Sequence, residues 1–594
     1  MGSRIVDSRR MQIRVALAQI NPKSGDIHGN AGLILDAIRR AATEGVQLVV
    51  LPEMCLTGYC LDEKLLINRR FLRENRRVLE QEVAPACRET AAVVGFVDYE
   101  EELQGPDRSP MRYNAAAVLH HGRLQQIVHK RLLPSYRYFD DKRYFAAGKE
   151  VDPVRLRFPE GELRLGVLIC EDLWDDRYEL KPCRIYAEKG VDLLACINAS
   201  PFVCSSPGGR DGKRFERERI ALSKVRLHGV PLVWVNTVGV GDNGKNVIPF
   251  DGASAAWDSR GERVAQLALF RPDYQTVVFE EGRADPVPAP EFDREGEIFD
   301  ALVMSVRDYY DKIGIFNGVL EAVSGGIDSA LGTAIASAAV GSERVTAFNL
   351  PSRYNSDRTR DAARRLAENF GIEYKVVPIQ ELYEKVCSDF ERYVHPIHRS
   401  ITRENLQARI RGLIMMAESN DREALLLTNG NESEIALGYA TLYGDMVGGL
   451  AVIGDLPKPD VYRVARYVNR RWGREMIPED SFRIPASAEL KEDQVDPFDY
   501  EAVGPVVSEF IERGAAPDDL AEAFQRGDLN PARFAPEIYR RYDSVEFSRL
   551  VRQLYRTLNR SVYKRMQAAP IVVVSERSFG FDLRETIING WTDA

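Results

Sequence analysis

The stretch "EAVSGGIDSALGTAIASAAV" (residues 321–340) decides how the second half of this chain folds. Its apolar run ends at Val323, Ser324, Gly325 and Gly326 form a turn, and a small-residue helix is predicted to begin near Asp328. Glycines in such a turn let the backbone approach a ligand closely, and the free amides of the helix start favour an anion, most economically a phosphate. The Gly-Lys-Ser/Thr ending of a Walker A loop is absent, and so is a GxGxxG pattern. Asp328 is a poor phosphate contact by itself but a good ligand for the magnesium that accompanies pyrophosphate. The segment therefore implies ATP with Mg²⁺. The bland alternative is a glycine turn that only packs a helix on a strand.

Downstream, the strand signals "RVTAFNL" (Arg344–Leu350), "EYKVVPI" (Glu373–Ile379) and "EALLLTNGN" (Glu423–Asn431) alternate with helical stretches, which predicts a doubly wound parallel sheet. Upstream, "RADPVPAPEFDRE" (Arg283–Glu295) breaks all periodicity with three prolines and alternating charges, and reads as a linker. In front of it, strands are predicted at Ile13–Ile20, Val46–Met54, Ala92–Val97, Asn114–Leu119, Arg164–Ile169, Asp192–Asn198 and Pro231–Thr237, with an amphipathic helix at about Asn30–Glu44. That alternation indicates an α/β layered domain. The chain of 594 residues thus divides into a front domain (12–282), a linker (283–295) and a back domain (296–594), without internal repeats.

The formal net charge of −9 comes from interspersed acids and bases, with no Lys/Arg block to track a phosphate backbone, so nucleic acid is not expected as a partner. Cys55, Cys60, Cys87, Cys170, Cys183, Cys196, Cys204 and Cys387 lack metal-ligand spacing and fit a reducing compartment. The start "MGSRIVDSRRMQ" lacks the apolar core of a signal peptide, and no run of about 18 apolar residues occurs. A cytoplasmic protein with no membrane partner is expected.

The loop Ser324-Gly325-Gly326-Ile327-Asp328-Ser329 resembles the SGGxDS loop of N-type ATP pyrophosphatases, which cut ATP to AMP and pyrophosphate. Together with "ENLQARIRG" (Glu404–Gly412), the run Leu426–Tyr467 and "YKRMQAAP" (Tyr563–Pro570), it resembles the NAD synthetase family. That resemblance implies ATP binding by Ser324, Gly325, Gly326, Ile327, Asp328, Ser329, Asn429 and Lys458. It implies deamido-NAD binding by Asn405, Arg409, Glu434 and Lys564, and Mg²⁺ at Asp328 and Glu434. The residues read by themselves agree: Arg409 and Arg411 lie on a helix where one or both can face an anion, and Glu432 and Glu434 follow a strand end, where α/β sheets place ligands. Three positions depart from the family pattern: Ala322 for Gly, Asn429 for Thr, and Met566 for a basic residue.

An enzyme that makes an amide needs ammonia, which is mostly protonated at neutral pH. In the front half, "LVVLPEMCLTGY" (Leu48–Tyr59) ends a strand with Glu53, "VHKRLLP" (Val128–Pro134) carries Lys130, and "LGVLICEDLWDD" (Leu165–Asp176) ends a strand with Cys170. This triple resembles the Glu-Lys-Cys site of the nitrilase superfamily, and "NASPF" (Asn198–Phe202) with Gly212-Lys213 and Arg217 resembles its glutamine amidase branch. The resemblance implies an α/β/β/α sandwich, with Tyr59, Ser200 and Lys213 at the glutamine. Cys170 as nucleophile, Glu53 as general base and Lys130 as a fixed cation for the oxyanion suit the residue types.

The whole predicts a homo-oligomeric ligase, at least a dimer, acting on deamido-NAD, ATP and glutamine. Two rivals are an amidotransferase of the same ATP-cleaving class acting on another acid, and an idle nucleotide sensor with a decayed amidase. Asn405, Glu434 and Lys564 argue against the first, and joint retention of Glu53, Lys130, Cys170 and Asp328 against the second. The helix "IFDALVMSVRDYYDKIG" (Ile298–Gly314) suits either a subunit interface or its own sheet. His120-His121 reads as solvated surface at a hairpin turn, "RRFLREN" and "ERERIA" as charged helix faces, and Tyr136 and Tyr138 as pocket walls or core.

Overall fold

Successive side chains of the strands Gly161–Ile169 and Leu193–Asn198 point to opposite faces, and both faces are apolar. The computed structural model describes residues 12–59, 62–105, 109–485, 487, 489–491 and 494–588. In it, Leu165, Val167, Ile169, Ala195 and Ile197 enter one core, while Leu168, Leu194 and Cys196 enter another. Strands covered on both sides belong to an inner layer. Cys60 and the start of the chain up to Met11 lie outside the described residues.

The chain divides into two units: residues up to Phe202 with Asp211–Asn243 and Pro249–Phe292, and Asp293 onward with Val203–Arg210 and Gly244–Ile248. In the first, one sheet runs in the order Asp273–Glu280, Gln12–Gln19, Leu48–Val50, Ala91–Gln104, Pro110–His120, Arg123–His129. The other runs Arg263–Gln266, Ala255–Trp257, Leu232–Asn236, Leu193–Asn198, Gly161–Ile169, Val154–Phe158. The sheets face each other through a shared core in which Val15, Val50 and Val93 meet Val167, Ile197 and Val235. Helices Ile27–Thr43 and Arg69–Val78 bury Ile34, Ile38, Phe71 and Leu72 on one side, and helices Pro182–Glu188 and Lys213–His228 bury Tyr186, Ile220 and Val225 on the other. This is the α/β/β/α sandwich.

Local chemistry trims the predicted strands. The run Val46–Met54 is a strand only over Leu48–Val50, because Pro52 and Glu53 turn the chain and Met54 takes a left-handed φ of 48°. Gly95 on the neighbouring strand makes room for that turn, since a Cβ there would lie 2.3 Å from the Pro52 carbonyl oxygen. His120 is not solvated surface: it is 2% exposed, stacked on His121 and tilted against Phe158, with its ring against the Glu89 carbonyl. His121, at φ 53°, takes the turn.

The second unit has a parallel sheet in the spatial order Ile571–Val572, Leu450–Ala451, Leu425–Thr428, Val319–Ala322, Val345–Asn349, Glu373–Val376. Chain order reverses between Val319–Ala322 and Leu425–Thr428, so the crevice of this doubly wound sheet opens at the carboxyl ends of those two strands. The quoted loop leaves the first and Asn429 leaves the second. Helix Arg294–Ile313 begins inside the span read as linker, anchored where Arg294 grips Asp460 at 2.7 and 3.1 Å. Its Ile298, Phe299, Leu302 and Val306 are buried and it packs on helices Ile327–Val340 and Lys458–Trp472, so its apolar face covers its own unit rather than an interface. Among the described residues no helix is long and apolar enough to cross a membrane.

The quoted turn depends on Gly325, which has φ +90° and whose added Cβ would stand 2.1 Å from the Thr359 carbonyl oxygen. Gly325→Ala combines backbone strain with a clash against main chain and is expected to cost about 2–5 kcal/mol, read as a lowered midpoint in denaturant unfolding.

Candidate functional site

In the first unit, three chain segments converge on Glu53, which is 1% exposed. Its Oε1 accepts hydrogen bonds from Lys130 Nζ at 2.8 Å and Asn114 Nδ2 at 2.7 Å, and its Oε2 accepts from the Ala199 amide at 2.7 Å. Lys130, equally buried, also donates to Asp141 Oδ2 at 2.7 Å. Burial opposes its charge, but Asp141 and Glu53 outweigh that and raise its pKa well above the ordinary value. The lysine is a fixed cation.

Cys170 follows the strand Gly161–Ile169 and has φ 47°, a strained conformation for a side chain of this kind. Asp172 holds that turn: its carboxylate accepts from the amides of Ile169, Arg131 and Leu132 at 3.2, 3.0 and 2.9 Å. Burial pushes the Cys170 thiol well up, Glu53 adds to the shift, and Lys130 opposes it. A thiol in this setting keeps its proton until a base removes it, and Glu53 is the carboxylate whose charge acts on it most.

The three positions assigned to glutamine lie around this cluster. Tyr59 donates to Asp141 Oδ1 at 3.2 Å and packs edge-on against Phe139 and Phe250. Lys213 lies 3.9 Å from the centre of the Trp174 ring and pairs with Glu216 at 3.1 Å. Burial lowers its pKa. The Ser200 hydroxyl accepts from Arg217 Nε at 3.0 Å, and Arg217 is itself paired with Asp251. Of the two tyrosines beside Lys130, Tyr138 is core at 4% exposed, while Tyr136 donates to Glu171, the residue after Cys170, at 2.9 Å.

In the second unit a cavity of about 330 Å³ opens at the switch point. Ser324, Gly326, Ile327, Asp328, Ser329, Asn429, Lys458 and Glu434 line it, with Arg411 from the helix Ser400–Arg422. Helix Ile327–Val340 begins at the turn, where the Ser324 hydroxyl accepts from the Gly326 amide at 3.2 Å. Lys458 pairs with Asp328 and stands 3.5 Å from Glu434 Oε1. Asn431 ties the two acids together: its Nδ2 donates to Asp328 Oδ1 at 3.0 Å, and its Oδ1 caps the Glu434 amide at 3.1 Å. Burial raises the Glu434 pKa to about 8 against the pull of Lys458. Arg411 is lowered to about 10 by burial, against the opposing charges of Glu489 and Asp445.

Asn405, Arg409 and Lys564 are outside the lining of this cavity. All three grip one loop instead: Thr441 donates to Asn405 Oδ1 at 3.0 Å, Arg409 donates to the Leu442 carbonyl at 3.1 Å, and Lys564 donates to the carbonyls of Gly438 and Ala440 at 2.8 Å each. Asn429, on the wall of the cavity, is held from behind, its Nδ2 donating to the buried Glu321 at 2.7 Å.

The family model for carbon-nitrogen hydrolases matches residues 14–280, and that for NAD synthase matches residues 298–550. A glutamine-dependent NAD(+) synthetase of Thermotoga maritima is 35% identical, covering 97% of this chain and 99% of the relative. The chain belongs to the glutamine-dependent NAD(+) synthetase family. A Synechocystis relative of the same description is 34% identical over 96% of this chain and 98% of its own length. The solved structure of the Acinetobacter baumannii glutamine-dependent NAD+ synthetase in complex with ADP aligns at a TM-score of 0.72, with 30% identity over 98% of this chain and 99% of that one. In this member of the glutamine-dependent NAD(+) synthetase family, Asp141, Asn114, Asp172 and Asn431 are site partners that sequence reading missed. Each is a common polar residue, and Asn114, Asp172 and Asn431 each have a partner forty or more residues away. Only the tight "EDLWDD" run after Cys170 gave a local hint, for Asp172.

The buried Glu53–Lys130–Asp141 cluster makes a stability prediction. Lys130→Met leaves two facing carboxylates without their cation and is expected to cost about 3–5 kcal/mol, measured by chemical unfolding against the parent protein.

Proposed function

We propose that this chain makes NAD from deamido-NAD, ATP, glutamine and water, releasing AMP, pyrophosphate and glutamate. The observation that carries this reading is the pairing, in one chain, of a Glu53–Lys130 contact at 2.8 Å beside Cys170 with a switch-point cavity lined by the Ser324–Ser329 loop. The front half (12–282) supplies ammonia and the back half (296–594) spends it.

At the front, Glu53 takes the Cys170 proton as sulfur attacks the glutamine carboxamide, and Lys130 faces the oxyanion that develops. Asp141 keeps Lys130 charged throughout, and Asn114 with the Ala199 amide fixes the Glu53 carboxylate. Tyr59, Ser200 and Lys213 bind the glutamine. Ammonia leaves, and water activated by Glu53 cleaves the thioester to give glutamate.

At the back, the amides of Ser324, Gly325, Gly326, Ile327 and Ser329, with Lys458 and residue 429, bind ATP, and the nicotinate carboxylate of deamido-NAD displaces pyrophosphate from the α-phosphorus. Asn405, Arg409, Glu434 and Lys564 bind deamido-NAD, three of them through the Gly438–Leu442 loop that they clamp. Asp328 and Glu434 would hold Mg²⁺. Two hard carboxylates flanking a cation in one cavity fit an ion that takes few protein ligands and keeps water and phosphate for the rest. Bound there, the ion neutralises triphosphate charge. Ammonia then expels AMP from the acyl adenylate. The protein works as a homo-oligomer of at least two chains and in the cytoplasm, the latter a reading supported by the free cysteines among the described residues.

Cys170→Ala is expected to abolish glutamine-driven NAD synthesis and to leave ammonium-driven synthesis largely intact. Equal loss with both nitrogen sources would overturn the division of labour. Asp328→Ala should suppress both reactions and pyrophosphate release, and near-normal rates at ordinary Mg²⁺ would reduce Asp328 to a helix-start residue. Deamido-NAD labelled with ¹⁸O in its carboxylate should pass label to AMP, and label found only in pyrophosphate or water excludes the adenylate.

A further inference from the structure

Glu321 lies in the middle of the sheet of the second unit and is 0% exposed. Its neighbour Leu320 faces the core that contains Ile410 and Met415, so strand alternation turns Glu321 to the opposite face, toward helix Ile327–Val340. A carboxyl group in such a place needs a partner, and Asn429 is that partner, its Nδ2 donating to Glu321 Oε2 at 2.7 Å. Gly332 on the helix makes room for the amide: a Cβ there would stand 1.9 Å from Asn429 Oδ1. Two acceptors in this pair, Glu321 Oε1 and Asn429 Oδ1, are buried and meet no donor among the described residues.

Adding one proton to Glu321 removes both deficits at once. Oε1–H becomes a donor for Asn429 Oδ1, while Asn429 Nδ2 continues to donate to Oε2. The amide is then held by two bonds, and its remaining N–H is the group it can turn to the cavity that Asn429 lines. We propose that Glu321 is a positioning residue that works as a neutral carboxyl, locking the Asn429 amide so that it offers the nucleotide cavity a donor and never its carbonyl oxygen. A ligand atom facing that amide must therefore be an acceptor, such as a ring nitrogen or a ribose or phosphate oxygen. The inference rests on the cavity being the ATP site, as proposed above.

Burial raises the Glu321 pKa to about 8, against a smaller lowering by the Asn429 amide. The charged groups on the elements facing it are committed elsewhere. Asp328, at the start of helix Ile327–Val340, pairs with Lys458, Arg294 pairs with Asp460, and Asp308 pairs with Lys312. The sign of the pH effect follows. The unfolded chain releases this proton near the ordinary value of 4.5 and the folded chain holds it to about 8. The carboxyl therefore takes stability away progressively as pH rises from 4.5 to 8, and by a constant amount above.

The test uses the full chain with Glu321→Gln, whose amide reproduces the two-bond pattern of the neutral acid, and Glu321→Met, which has nothing to offer Asn429. Thermal unfolding is followed from pH 5 to 9 together with kcat and KM for ATP in ammonium-driven synthesis. The midpoint of Glu321→Gln should pull away from that of the parent between pH 5 and 8, after which the gap stays level. At pH 7 Glu321→Gln should keep the KM for ATP within about twofold, while Glu321→Met raises it about tenfold with a smaller change in kcat. Parallel midpoints across the range would show that the folded carboxyl carries no proton and overturn the proposal, as would a Glu321→Gln KM as poor as that of Glu321→Met, or a Glu321→Met KM equal to the parent's. If Glu321→Met does not fold, the Glu321→Gln midpoints and KM still decide. Absence of ATP-dependent synthesis in the parent would sink the functional reading and leave the unfolding comparison intact.

Discussion

A strand buried on both faces offers a ligand no group of its own along its length. Its amides and carbonyls are spent on its neighbours, and its side chains on the core. The first atoms free to act are those just past its carboxyl end, and both units place their reactive groups there. Leu48–Val50 delivers Glu53, Gly161–Ile169 delivers Cys170, Val319–Ala322 delivers the Ser324–Gly326 turn, and Leu425–Thr428 delivers Asn429 and the helix that carries Glu434. Backbone strain collects at the same points, in Met54, Cys170 and Gly325, because the chain must turn sharply there to leave the sheet.

Each candidate site also buries a lysine between two acids, to different ends. Lys130, between Glu53 and Asp141, is 1% exposed and joined to the inner network through Tyr59. Nothing in that arrangement asks the lysine to move, which suits the oxyanion-facing role proposed for it, since such a group gains from being fixed in advance. Lys458 stands between Asp328 and Glu434 on the wall of an open cavity. There the lysine balances the acids with a charge of the chain's own, and a phosphate-bearing ligand meets a site whose cation and carboxylates are both within reach. The first lysine is part of a permanent scaffold, and the second belongs to a surface that a ligand completes.

The fold was legible because its signals are local. Alternation of apolar residues and the glycine turn each occupy a dozen residues or fewer, and the strands they predicted are present, although the one read at Ala92–Val97 runs on to Gln104. Glu53, Lys130 and Cys170 were legible for a similar reason, since each follows or lies beside a strong strand signal. Asp141 was not, because it lies eleven residues beyond Lys130 across an irregular loop, where no periodicity says which side chains meet. His120 was misread because its imidazole is covered by Phe158, thirty-eight residues away along the chain. The helix from Arg294 was legible as amphipathic, but periodicity cannot say whose surface an apolar face covers.

The departures from the family loop show the same limit more sharply. Read in its own motif, Asn429 in place of Thr is a modest change at a nucleotide contact. In the fold the longer side chain turns inward, and it does so because Glu321 offers a partner and Gly332 offers space. Met566 in place of a basic residue looks like a lost cation, yet Lys245 brings its ammonium to the same bend, donating to the carbonyls of Met566 and Ala568 at 3.3 and 2.7 Å. Lys245 belongs to the short segment Gly244–Ile248, which lies in the second unit although it is embedded in the sequence of the first. In both places the compensation comes from more than ninety residues away. A motif position therefore has to be judged together with whatever the fold sets behind it, and a substitution that weakens a motif as text can leave its charge and its hydrogen bonds in place.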